Sequence, residues 1–478
     1  MRRRNLLSLG ASLALGAVTT SAAAASPFGI RLWDVVIVGS GLAGLSAAVS
    51  ARENGAENVL VIEKLPILGG HSRVASGSFC AVSEKRLKPY GIKTTVEDAV
   101  KESLVIGGPE ANAKLLKILM KESESAMDWL ESMGVRWNPE PYLPVGSLSV
   151  CSFISHSGAN GLNYITHLNQ RARELGVRFI FSHRVNDLLT YADRSAVEGV
   201  VMRTPEGNVE YIRSKAVILA CGGFTGNISM CRAVNRNISP AMRSTANPTG
   251  RGLDGATGDA ISLAKPLNAM VKDLEHIQLI CYLGGRMLNY SGADIYVNQE
   301  GRRFVNEANA HAVIQKELLK QPNETLWAIT DAKSKKSLTV ETKLEDGSVY
   351  KCADTAEIAK LIGCPAENIE ETLNRYNEFV RCQKDEDFAK PILLQTIDKP
   401  PYYIGREKLG IHYCCGGLAF NEYAEVLRND GTSIAGLYAA GEATGGLHGK
   451  DRIGGGALTE CVVFGRIAGK EAANFKIG

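Results

Sequence analysis

The sequence predicts an α/β protein, a Rossmann-like parallel sheet that is discontinuous along the chain and has an α+β domain inserted into it. Three observations lead there. A strand, a glycine turn, a helix and a second strand follow one another from Asp34 to Glu63. Short apolar strands running into glycine recur near residues 220 and 440. The stretch between them is more polar. At 478 residues the chain is long enough for two domains.

The first 26 residues, MRRRNLLSLGASLALGAVTTSAAAAS, read as a targeting segment: Arg2, Arg3 and Arg4 precede a mildly apolar run that ends in Ala22 to Ala25. The run is too short and too rich in Ala, Gly and Thr for a spanning helix, and no later stretch reaches the roughly 18 apolar residues a span needs. Arg3-Arg4-Asn5-Leu6-Leu7 resembles a twin-arginine signal, with an ordinary Sec signal as the alternative. Either predicts a periplasmic protein. The formal charge of +3 is matched by those three arginines, so the remainder is near neutral and does not point to nucleic acid or an anionic membrane surface.

Residues 34–38, DVVIV, are a continuous apolar run, as a buried parallel strand requires. Gly39-Ser40-Gly41-Leu42-Ala43-Gly44 follows. Leu45 to Asn54 reads as a helix, and a second apolar run, Val59 to Ile62, ends at Glu63. Amphipathic helices are expected over 112–133 and 163–175, and strands over 177–181, 197–203 and 216–220. The expected division is 1–26 signal, 27–274 first part of the sheet domain, 275–411 capping domain and 412–478 second part.

A G-x-G-x-x-G turn is a weak signal alone, but here it leaves a strand, opens a helix and is followed by an acid at the end of the next strand. Gly39 permits the tight turn, Gly41 lets a pyrophosphate approach the backbone, and Gly44 permits close helix–strand packing. The helix N-terminus meets the phosphate charge, and Glu63 accepts from a ribose hydroxyl. Ala216 to Gly223 and Gly436 to Glu442 each read as a strand ending in a turn. A closing strand so near the C-terminus favours FAD over NAD.

The stretches VVIVGSGLAGLSAA, IEKLPILGGHSRVASG, ILACGGF, ATGDAISLA, NQEGRRFVNE and GLYAAGEATGGLHGKDRIGGGALTECVVFGRIAG resemble the FAD-dependent fumarate reductase/succinate dehydrogenase flavoprotein family. The resemblance is to its soluble flavocytochrome c-type fumarate and urocanate reductases, without the haem domain. It implies flavin contacts at Gly39, Ser40, Gly41, Leu42, Ala43, Gly44, Glu63 and Lys64. Further implied contacts are Gly69, Gly70, His71, Ser72, Ser76, Gly77, Val185, Ala220, Gly222, Glu442, Gly456, Ala457 and Leu458. Asp259 is either a further contact or a helix cap. Membrane-bound relatives carry a covalently attached histidine at the position of His71, and soluble ones bind FAD without such a link, so attachment through His71 stays open.

The resemblance also implies hydride transfer to the carbon–carbon double bond of an α,β-unsaturated carboxylate. That reaction needs a proton donor and cationic groups on the carboxylate. His412, in GIHYCCGG, and Arg452, in HGKDRIGGG, match the family's carboxylate clamps. The family's Q-x-H-P-T is replaced by Gln278-Leu279-Ile280-Cys281-Tyr282, which puts Ile280 in place of a substrate-binding histidine. Ungapped counting puts Arg286-Met287 where a Thr-Glu pair belongs, and His311 stands where the proton-donating arginine would be. One carboxylate and a more apolar far end therefore fit better than fumarate. His311 is the positional proton donor, with Tyr282, Tyr290, Tyr296 and Tyr413 as rivals. The eleven cysteines form no C-x-x-C or C-x-x-C-H pattern and no metal site is expected, so electrons would come from a separate periplasmic c-type cytochrome. The competing readings are a flavin dehydrogenase or oxidase of a saturated acid or ketone, and a non-catalytic flavin electron carrier.

Overall fold

The structure, a computed structural model, describes residues 32–476 except 145, 148, 156–159, 249, 282, 283 and 338. The targeting segment expected over 1–26 and the candidate Tyr282 lie outside the described residues.

The strand Trp33–Val38 is buried almost throughout, as its β-branched run requires, and pairs in parallel with Val59–Ile62 on one side and Val209–Leu219 on the other. The eight-stranded sheet runs in the order Glu425–Leu427, Ser433–Ala439, Val209–Leu219, Trp33–Val38, Val59–Ile62 and Arg178–Ile180, with Val197–Arg203 paired to Val209–Leu219 and Arg184–Thr190 paired to Val197–Arg203. The chain thus leaves this sheet after the first strands and returns near its C-terminus to complete it. The strand expected over 216–220 begins earlier, at Val209, because its first half pairs with Val197–Arg203 as a polar-edged hairpin.

Helices Leu42–Glu53 and Gly456–Asn474 pack on one face of the sheet at backbone distance. A Cβ on Gly465 would stand 2.7 Å from the Ala43 carbonyl oxygen, and one on Gly469 2.3 Å from that of Ala47. The expected amphipathic helices are Ala113–Ser132 and Asn160–Glu174, and their apolar faces complete that core with Leu116, Leu119, Ile165 and Leu168. The first of these is capped by Asn112, which accepts from the amides of Lys114 and Leu115.

The α+β insertion is built on an antiparallel sheet of Ile277–Cys281, Tyr402–Cys414, Thr325–Thr330, Ile295–Val297 and Val349–Cys352. Helices Thr355–Ile362 and Ala366–Cys382 cover one side of it. The RRFVNE stretch forms its buried ionic core: Arg303 binds Glu307 at 2.9 Å and Asp385 at 2.9 Å, while Lys390 reaches Glu307 at 3.0 Å. Among the described residues no helix is long and apolar enough to cross a membrane.

Candidate active site

The two bodies meet over a cleft of about 1840 Å³, solvent at its mouth included. At one end lies the glycine turn. Gly39 has φ +103°, and a Cβ there would sit 2.5 Å from the Ala220 carbonyl, so glycine is required. A Cβ on Gly44 would stand 2.0 Å from the Gly39 carbonyl, whereas one on Gly41 would meet nothing closer than 3.8 Å. Two glycines therefore close the turn and the third leaves a free approach to the backbone at the helix start, as a pyrophosphate needs.

Glu63 is buried at the end of its strand, accepting from the Ser40 amide at 3.0 Å, the Ser40 hydroxyl at 2.7 Å and the Leu65 amide at 2.9 Å. Ser40, Leu42 and Ala43 line the cleft beside it. So do Gly70, Ser72, Ser76, Val185, Ala220 and Gly222, and Ser72 also accepts from the Leu42 amide. Ala457 and Leu458, in the first turn of helix Gly456–Asn474, line the far wall with Glu442. Gly44, Gly69, Gly77 and Gly456, also expected as contacts, do not line the cleft.

Lys64 and Asp259 are joined at 2.9 Å, and Arg184 and Thr257 also donate to Asp259. Burial works to raise the Asp259 carboxyl, but Lys64 and its other donors hold it below the usual range. Asp259 opens the helix Asp259–Ala264, whose N-cap is Gly258, so it lines the cleft without acting as the cap.

His71 does not stand free. Its Nε2 lies 2.7 Å from Asp254 Oδ1. Burial works against its protonated form, yet Asp254 and Glu442 hold the imidazole above its usual pKa. The Glu442 carboxyl is itself raised by burial, and it accepts from the Cys414 amide at 3.0 Å.

Beyond the glycine turn the cleft gathers Ile280, Arg286, His311, His412 and Arg452, all five predicted from separate parts of the sequence. Arg452 is buried. Its guanidinium lies 4.6 Å from the centre of the Tyr413 ring, Nη1 donates to the Ile453 carbonyl at 3.0 Å, and Nε has no partner among the described residues. Arg452 also lines the cleft, where a charged hydrogen bond from its guanidinium to an anionic ligand would contribute about 1.5–3 kcal/mol. Tyr413 donates to Glu460, which also accepts from Thr444 at 2.9 Å and faces His448 at 3.1 Å. That network holds the ring beneath Arg452.

The expectation that His412 and Arg452 form a cationic pair is corrected. His412 is set in the strand Tyr402–Cys414, with Nδ1 2.8 Å from the Thr245 hydroxyl. Burial, then the charges of Arg452, His311 and Arg286, push it well below its usual pKa, so it is a neutral imidazole at neutral pH. Arg452 carries the charge.

His311 begins helix His311–Leu318 and faces the cleft across from Gly146. Among its rivals Tyr413 also lines the cleft, but its hydroxyl is turned to Glu460. Tyr290 accepts from the Lys335 amide away from the lining, and Tyr296 lies in a small side pocket with Ile280, Arg286 and His311. Sequence reasoning missed Thr245, Asp254 and Asn289, which the fold brings to the cleft or to its lining residues from turns without a motif of their own. Among the described residues no cluster of His, Cys, Asp or Glu could hold a metal ion.

An FAD binding domain family matches residues 34–458, almost the whole described chain. The chain belongs to this family. It is 33% identical over 450 residues to a probable fumarate reductase of Shewanella frigidimarina, spanning 92% of this chain and 74% of the relative. It is 29% identical to the acrylate reductase flavoprotein subunit of Shewanella woodyi, spanning 98% of this chain and 97% of that one. Among solved structures it is similar to the open conformation of a flavocytochrome c3 fumarate reductase, with a TM-score of 0.71, 30% identity, and coverage of 93% and 78% of the two chains. The chain is an FAD-dependent oxidoreductase of the kind that acts on carbon–carbon bonds. The open approach at Gly41 and the buried carboxylate of Glu63 both fit that cofactor.

Proposed function

We propose that the protein reduces the carbon–carbon double bond of an α,β-unsaturated monocarboxylate. One observation carries this reading: a buried arginine, Arg452, lines the same cleft as the dinucleotide turn. The residues from Gly39 to Ser72 would hold the cofactor's phosphates and ribose, and those around Glu442 and Ala457 its ring. When bound, reduced FAD supplies the hydride.

Arg452 takes the substrate carboxylate through charged hydrogen bonds. His412, whose Nδ1 lies 2.8 Å from the Thr245 hydroxyl, lines the same cleft and contacts that group without adding charge. Arg452 then also stabilises the negative charge that grows on the carboxylate side as hydride arrives at the β-carbon. His311, which lines the same cleft, gives the proton to the α-carbon. Ile280 stands where the family's substrate-binding histidine would be, which supports a monocarboxylate over fumarate. Residues 275–411 form the cap that closes the cleft from water.

The acrylate reductase relative is a flavoprotein subunit nearly matched end to end, and the sequence has no haem-attachment motif. Both support delivery of electrons by a separate c-type cytochrome, in the periplasm given the N-terminal segment. The test is anaerobic oxidation of reduced viologen against a panel of enoates. Turnover of monocarboxylates such as acrylates is expected. Oxygen consumption on saturated acids, with the enoates untouched, would overturn the proposal in favour of the oxidase reading.

A further inference from the structure

We propose that Asp451 is a positioning residue that locks the helix bearing His311 to the loop bearing Arg452, so that the two walls of the cleft keep one register. The inference rests on the proposed roles of those two residues. Asp451 is 1% exposed, yet it contacts no ligand wall. Its carboxylate instead collects donors from three separate elements. Oδ1 accepts from the Arg452 amide at 2.8 Å and from the Gln278 side chain, and Oδ2 accepts from the Ala312 amide at 2.9 Å.

The Ala312 bond matters most. A helix leaves its first N–H groups without internal partners, and a side chain at the N-cap normally takes one of them. Helix His311–Leu318 has Ala310 at its N-cap and no side-chain cap. Asp451 supplies that cap from 139 residues away, placing a carboxylate at the positive end of the helix next to His311. The sequence of the helix cannot fix its own start, and therefore cannot fix where His311 points.

The lock also closes on itself. Gln278 pairs in strand register with Tyr413, whose ring carries the Arg452 guanidinium, and Arg452 follows Asp451 in sequence. Gln278 Oε1 has no partner among the described residues, so its orientation depends on its amide nitrogen, which donates to Asp451 and, at 3.5 Å, to the Arg452 carbonyl. One carboxylate thus ties the strand under Arg452, the loop that carries it and the helix opposite.

The experiment is a double-mutant cycle on the FAD-loaded protein with Asp451→Ala, His311→Ala and the pair, read as kcat and KM, together with amide hydrogen exchange. Misplacing the acid by an ångström is expected to lower kcat on the order of 10- to 100-fold. That loss should largely vanish in the His311→Ala background, because no acid remains to misplace. Exchange at residues 312–315 should rise about tenfold, as for a lost cap, while the strand Trp33–Val38 stays protected. Asp451→Asn keeps one acceptor oxygen and should fall between parent and Asp451→Ala. Unchanged exchange at 312–315 would overturn the lock, as would a kcat loss fully additive with His311→Ala. Should His311→Ala alone turn over like the parent, the acid assignment fails, and the exchange result still decides the lock separately.

Discussion

Replacing Arg452 by Met keeps the aliphatic stem of the side chain but removes the charge, every donor and the guanidinium that lies over Tyr413. In the structure one donor serves the Ile453 carbonyl, and the buried Nε has no partner among the described residues. A carboxylate held by two charged hydrogen bonds, each contributing about 1.5–3 kcal/mol, would lose about 3–6 kcal/mol, or roughly 10²- to 10⁴-fold in kcat/KM. The assay is viologen oxidation under anaerobic conditions at several enoate concentrations, with bound flavin quantified in the same preparations. Flavin content should stay at the parent level, because the glycine turn and Glu63 lie at the other end of the cleft. A loss below tenfold in a variant that retains its flavin would refute the carboxylate role of Arg452.

Three further outcomes are expected. Gly39→Ala forces a Cβ against the Ala220 carbonyl at a positive φ, so the purified protein should lose most of its flavin absorbance. A variant that keeps full flavin would contradict the phosphate-turn assignment. Glu307→Ala takes from Lys390 its ion-pair partner and leaves Arg303 with Asp385 alone, so chemical denaturation should show about 3–5 kcal/mol lower stability, and an unchanged midpoint would show that the ionic core is dispensable. The two cleft histidines act on stability with opposite signs. His71 has a raised folded pKa, so its contribution is full below the unfolded pKa and fades as pH rises through the folded value. His412 has a depressed one, so it weakens the fold as pH falls below the unfolded pKa, where only the unfolded chain gains the proton. Stability profiles of His71→Phe and His412→Phe should therefore diverge from the parent in opposite directions on the acid side, and parallel profiles would refute the assignment.

What the sequence revealed was set by distance along the chain. The unit from Asp34 to Glu63 was legible because strand, turn, helix and acid lie in one short stretch with fixed spacing, and the glycine geometry matches it position by position. The apolar stripes of Ala113–Ser132 and Asn160–Glu174 were legible for the same local reason. The charge state of His412 was not. Its residue type suggests a cation, but Arg452, His311 and Arg286 arrive from three other segments to oppose a proton there. Asp254 for His71, Thr245 for His412 and Asp451 for the His311 helix are partners 139 to 183 residues apart, and no periodicity marks such pairs. The RRFVNE stretch carried a family signature, yet Arg303 and Glu307 act within the cap core and not on the cleft wall.

The most direct measurement is a single turnover. Protein whose flavin has been photoreduced without oxygen is mixed with an acrylate-type acid, and in parallel with the neutral amide of the same acid, while flavin absorbance is followed. Rapid reoxidation by the acid and slow or absent reoxidation by the amide is the predicted result. Equal rates with acid and amide, or reoxidation by oxygen alone, would contradict the claim that this cleft reduces a double bond beside a gripped carboxylate.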